Sequence, residues 1–91
     1  MIYVDDYRGK FGRMIMCHMV SDESVEELHA FAQQLGLKKA WFQYAPGKLP
    51  HYDVSLGKRK LALEMGAKEL PIRERQAWCD VMDKARKLPV T

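Results

Sequence analysis

Long apolar runs, paired cysteines and a strong charge of one sign are all missing from this chain of 91 residues. No stretch approaches the ~20 consecutive apolar residues of a membrane-spanning helix, so insertion by that route is excluded. The opening residues, MIYVDDYRGKFGR, carry acids where a secretory signal places its apolar stretch, and a cytoplasmic location is expected. Only two cysteines occur, Cys17 and Cys79, with no CxxC or other paired spacing, which excludes a disulfide scaffold and leaves reduced thiols. Lys and Arg number 15 against 12 Asp and Glu, a formal charge of +3. So small a surplus names no polyanionic partner unless the cations cluster. With six glycines and four prolines, collagen-like repeats and low-complexity disorder are excluded too.

What remains, 47% hydrophobic and 30% charged residues, is the balance of an ordinary globular chain. One α/β domain over residues 1–91 is expected, with a core shallow enough to leave room for a homodimer.

Local patterning predicts the order β-β-α-β-α-β-α: a small single-layer sheet of three to four short strands with about three helices packed on it. IYVDD (2–6) reads as a strand that stops at an acidic pair, and Gly9 and Gly12 frame a loop. RMIMCHMV (13–20) reads as a buried strand. Alternation puts Met14, Met16, His18 and Val20 on one face and Ile15, Cys17 and Met19 on the other. Cys17 and His18 therefore cannot enter one pocket together.

SDESVEELHAFAQQLGL is the clearest helix. Ser24 with Glu27 fits a capping box, Ser21 is a competing cap, and acids occupy the positive end of the helix dipole. Leu28, Phe31, Ala32 and Leu35 form its inward stripe, and Gly36 its left-handed stop. KAWFQY (39–44) is expected as a strand, with Trp41 and Gln43 facing opposite to Phe42 and Tyr44, and APGKLP as a loop. HYDVSLGKRKLALEMGA is expected to form a second helix, capped by Asp53 or Ser55, burying Val54, Leu61, Ala62 and Met65 and ending at Gly66. KELPI reads as a short strand. A third helix is expected from about Pro71 to Leu88, with Trp78, Val81, Met82, Ala85 and Leu88 inward.

Candidate chemistry centres on His18, His29, His51 and Asp53. Imidazoles with a carboxylate serve both acid–base catalysis and divalent-metal binding. In an extended HYD segment, His51 and Asp53 point the same way. The spacing matches no zincin, zinc-finger or deaminase signature, so no metal or other cofactor is named by it. The plain alternatives stand beside this: Asp53 as a helix cap and His18 as a core histidine with one hydrogen bond.

Lys58, Arg59 and Lys60 fall in the first turns of the second helix, where cations oppose the dipole by ~0.3–1 kcal/mol each. A bound phosphate or carboxylate would reverse that sign; long side chains reaching into water would merely tolerate it. SLGKRK lacks P-loop glycine spacing. Trp41 and Tyr52, with Gln43 between aromatic neighbours, offer a base-stacking surface, or else form core on one side of a strand.

YVDD at 3–6, ELHAFAQQLGL at 27–37, WFQ at 41–43, HYDVS at 51–55 with Arg59, and ALEMGA at 62–67 together resemble a family of small bacterial and phage proteins, domain of unknown function 4031. The resemblance spans residues 3 to 67 and leaves the last helix outside. That family has no established activity, so no catalytic role carries over. The resemblance implies a bacterial or phage cytosolic protein with a polar signature at His29, Gln43, His51, Asp53 and Arg59.

Two functional classes follow. The leading expectation is an accessory protein binding a phosphate-bearing ligand, a nucleotide or nucleic acid: Lys58, Arg59 and Lys60 would hold the anion, His51 and Gln43 orient it, and Trp41 or Tyr52 stack on it. The rival is a small hydrolase using His51 as base, Asp53 to orient it or ligate a metal, and His29 or His18 to complete the site. A protein-interaction module is the third reading.

Overall fold

Alternation in two neighbouring strands decides the architecture. It sends Val4, Cys17 and Met19 to one side of a sheet, where the following helices supply apolar cover. The computed structural model describes residues 1–90. They form strands β1 (Ile2–Asp5), β2 (Gly9–Phe11), β3 (Met14–Ser21), β4 (Tyr52–Ser55) and β5 (Lys68–Leu70). Three helices, α1 (Val25–Leu35), α2 (Leu56–Glu64) and α3 (Arg75–Arg86), and a 3-10 turn at Lys39–Trp41 complete the set.

The central strand is β3. Met16 pairs with Gly9 on one edge and Ser55 on the other, and Met19 likewise with Val4 and Tyr52. Because a strand has two edges, β1 and β2 lie end to end along one of them and β4 fills the other. β5 joins β1 in parallel while the remaining pairings are antiparallel. The class is α/β with a mixed five-stranded sheet.

Leu28, Ala32 and Leu35 of α1 and Ala62 of α2 pack on the face that carries Ile2, Val4, Cys17, Met19, Tyr52 and Val54. Helix α3 covers only part of the opposite face, where Met82 and Ala85 meet Val20 and Leu70. The uncovered part of that face holds Met14, Met16 and His18 from β3, and Asp53 and Ser55 from β4. No helix among the described residues is long and apolar enough to cross a membrane.

Caps follow the sequence closely. The Ser24 side chain accepts from the Glu27 amide at 3.0 Å, and Gly36 closes α1 with φ +90°, a conformation open mainly to glycine. Ser21, the competing cap, instead accepts from the amides of Glu23 and Ser24 just before the helix.

Several expectations are corrected. The 9–12 loop contains β2, making five strands rather than three to four. Residues 39–44 are not a strand: Trp41 and Phe42 donate their amides to the carbonyls of Lys38 and Lys39, curling the chain into a 3-10 turn. Only Gln43 pairs, forming a single bridge with His51. Phe42 thereby packs on the core instead of continuing a ladder. Tyr52–Ser55 is strand, not helix, because its alternate residues Tyr52 and Val54 fill the core. Ser55, rather than Asp53, caps α2, and Leu61 is 38% exposed. Pro71–Glu74 forms a turn, so α3 begins only at Arg75.

Candidate metal centre

The register of β3 against its two neighbours assembles a polar row across the open face of the sheet. His18 lies directly opposite Asp53 of β4. On the other edge Val4 pairs with Met19, so the next residue along β1, Asp5, comes beside His18. His51 precedes Asp53 by two residues and shares its face, and the bridge to Gln43 brings that side chain alongside.

Asp5 fixes His18 from two sides. Its Oδ1 accepts from the His18 amide at 2.8 Å and from the Tyr7 amide at 3.1 Å, while Oδ2 lies 2.8 Å from His18 Nδ1. The carboxyl is fully buried, and burial alone would raise its pKa. The bonds from the His18 ring and amide outweigh that and hold it below the usual carboxylate range. The hydrogen bond to Asp5 in turn raises His18 against the opposing effect of burial. An ionised Asp5 accepts only, so Nδ1 carries the proton and Nε2 is turned away from it.

His51 is fixed in the same sense. Its Nδ1 donates to the Leu49 carbonyl at 2.8 Å, and its Nε2 lies 3.3 Å from Asp53 Oδ1. Asp53 Oδ2 accepts from Gln43 Nε2 at 2.6 Å. The two imidazoles meet edge to face at 5.1 Å, and Tyr7 stacks on His18 at 4.7 Å.

One donor atom from each of His18, His51 and Asp53 lies within 4.8 Å of the other two. Bonds of ~2.0–2.2 Å to a shared ion place ligand atoms ~3–4 Å apart, a closure that side-chain rotation supplies. Each prospective ligand is oriented from behind: His18 by a carboxylate, His51 by a backbone carbonyl, Asp53 by an amide. Protein metal sites use such outer partners to fix tautomer and raise basicity. Two imidazoles and one carboxylate suit a divalent transition ion and leave positions open for water or substrate.

The other expected residues do not converge there. His29 lies on the far side of the sheet, its Nδ1 2.7 Å from the Tyr52 hydroxyl and its ring against Phe42. Tyr52 is 1% exposed, so its ring cannot stack on a ligand. Lys58, Arg59 and Lys60 diverge. Lys58 Nζ donates to the Leu35 carbonyl at 2.9 Å, Arg59 Nε donates to the Asp5 carbonyl at 2.8 Å and pairs with Glu69, and Lys60 is exposed. Arg59 thus props the strand that presents Asp5. Asp5 itself escapes sequence reasoning; the available signal is that IYVD alternates, putting an acid on the face opposite Val4 at the strand end.

Beside the polar row opens a cleft of about 670 Å³. Its lining joins Asp53 and Gln43 to the apolar Met14, Met16 and Trp41, and includes Lys58.

The family model for Protein of unknown function (DUF4031) matches residues 2–82, nearly the whole chain. The chain belongs to this family. The DUF4031 match runs into α3, beyond the residue 67 limit of the segments that carried the resemblance. No curated protein and no solved structure matches the chain.

Proposed function

We propose that this DUF4031 member is a small hydrolase with a single divalent transition-metal ion held by His18 Nε2, His51 Nε2 and the Asp53 carboxylate. One observation carries the reading: three metal-compatible donors lie within 4.8 Å of one another, each with an orienting partner behind it. Such an ion, when bound, supplies Lewis-acid activation of water. In the hydrolysis of an ester, the water oxygen bonds to the acyl carbon or phosphorus, the bond to the leaving oxygen breaks, and a water proton passes to that oxygen. Asp5, Gln43 and Leu49 act as positioning groups for the ligands.

Support for the joint phosphate grip by Lys58, Arg59 and Lys60 is thinner, since two of these cations bind backbone carbonyls at separate places. The geometry does favour a metal-free variant of the hydrolase, in which His18, oriented by Asp5, is the general base.

Calorimetric titration of chelator-treated protein with zinc and manganese tests the metal reading. Stoichiometric binding that His51→Ala and Asp53→Ala abolish supports it. No saturable binding of either ion overturns it, and turnover that survives chelation and fails in His18→Ala assigns the metal-free mechanism instead.

A further inference from the structure

Lys58 carries a charge that no carboxylate answers among the described residues. Its ammonium is nevertheless held in place. Nζ donates to the Leu35 carbonyl at the end of α1, beside Gly36, where an added Cβ would stand 3.1 Å from the nitrogen. The negative end of the α1 dipole answers part of the charge, and two further N–H donors of the ammonium remain. Lys58 lines the same cleft as Asp53.

Much of the remaining lining is apolar. Met16 and Met14 project from β3 on the same face as His18, and Trp41 is 51% exposed although it is the largest side chain of its segment. Lys38 Nζ lies 5.6 Å from the Trp41 ring centroid, a cation–π contact on the indole. Thioethers adapt to flat rings, and an exposed indole offers one to stack on.

We infer that the cleft binds a small anionic molecule with a flat apolar body, its acid group on Lys58 and its body against Met14, Met16 and Trp41. Resting on the hydrolase reading, this assigns the substrate class: a flat, aryl-like ester that also carries a separate carboxylate or phosphate, the anion on Lys58 and the ester bond, which water cleaves to acid and alcohol, facing Asp53. Carboxylate and phosphate share the chemistry that Lys58 recognises, a compact anion accepting charge-assisted hydrogen bonds.

Amide NMR titration of metal-free protein with benzoate, phenylphosphonate and benzyl alcohol separates these possibilities without any turnover. Saturable shifts at Met16, Trp41 and Lys58 are expected for at least one of the two anions, and much weaker ones for the neutral alcohol. Whichever anion saturates identifies the acid group. Lys58→Gln should weaken that binding by about tenfold or more, the loss of one charge-assisted hydrogen bond. Should Lys58→Gln fail to fold, Met14→Glu decides, because Met14 is 50% exposed and a carboxylate there repels the ligand without disturbing the core. Binding untouched by both substitutions, equal binding of benzyl alcohol, or no binding of either anion overturns the assignment. Zinc titration of the same wild-type protein keeps the two readings apart: anion binding without zinc binding sinks the metal centre alone, and zinc binding without anion binding sinks the substrate class alone.

Discussion

Asp5 and His18 are bonded twice, the carboxylate receiving both the amide and the ring N–H of the histidine at 2.8 Å each. Two contacts from one buried group leave the imidazole neither translation nor a choice of tautomer. Asp5→Asn keeps the volume but replaces an ionised acceptor with a neutral amide whose NH2 cannot accept. The variant should lose about 1–3 kcal/mol of stability in urea denaturation. Zinc affinity, if His18 is a ligand, should fall by about 10- to 100-fold, as for other outer partners of metal-binding histidines. Unchanged affinity would place His18 outside the ion's coordination.

His51 stands at the rim of the sheet, half-buried, with its ring shared between Leu49 and Asp53. His51→Ala should cost about 0.5–3 kcal/mol, since it removes the bond to Leu49 and the edge contact with the His18 ring. The increase in melting temperature on adding zinc should vanish with it. A thermal shift equal to that of the wild type would remove His51 from the site.

Acid should weaken the fold through His29. Burial beside Phe42 and Tyr52 lowers its pKa, Lys39 pushes the same way, and Glu26 opposes both. Its folded pKa lies below the unfolded value, so the unfolded chain binds the proton first. The stability tied to neutral His29 is full above about pH 6.5 and is lost as pH falls through the lowered folded value. His18 is shifted upward and works with the opposite sign, so the measurement must be a comparison. His29→Phe should show a smaller stability loss than wild type between about pH 7.5 and about pH 5.5 in urea titrations.

Gly9 keeps Tyr7 in place over His18. A Cβ at Gly9 would stand 2.6 Å from the Tyr7 ring, and this ring is 48% exposed and able to swing into solvent. Gly9→Ala should therefore unstack Tyr7, now 4.7 Å from the imidazole, and remove its ring-current shift from the His18 proton resonances. Resonances that stay where they are would show that the backbone of β2 yields instead.

Much of the scaffold was legible because its causes are local. Ser24 and Glu27 are three residues apart and cap one helix; Gly36 follows Leu35 directly; Trp78, Val81, Met82 and Ala85 repeat at helical spacing. Residues 39–44 misled for the converse reason. Their aromatic content favours a strand, but a ladder needs a partner, and only Gln43 finds one.

From the sequence alone came the α/β class, the Ser24 and Gly36 ends of α1, and the opposite facing of Cys17 and His18, all consequences of neighbours along the chain. Tertiary structure alone decided that His18 meets His51 and Asp53 while His29 does not, and that Arg59 bonds the Asp5 carbonyl. The physical reason is strand register. Cys17, Met19, Tyr52 and Val54 must fill one core together, and burying them aligns β3 with β4 so that the alternate side chains meet on the open face.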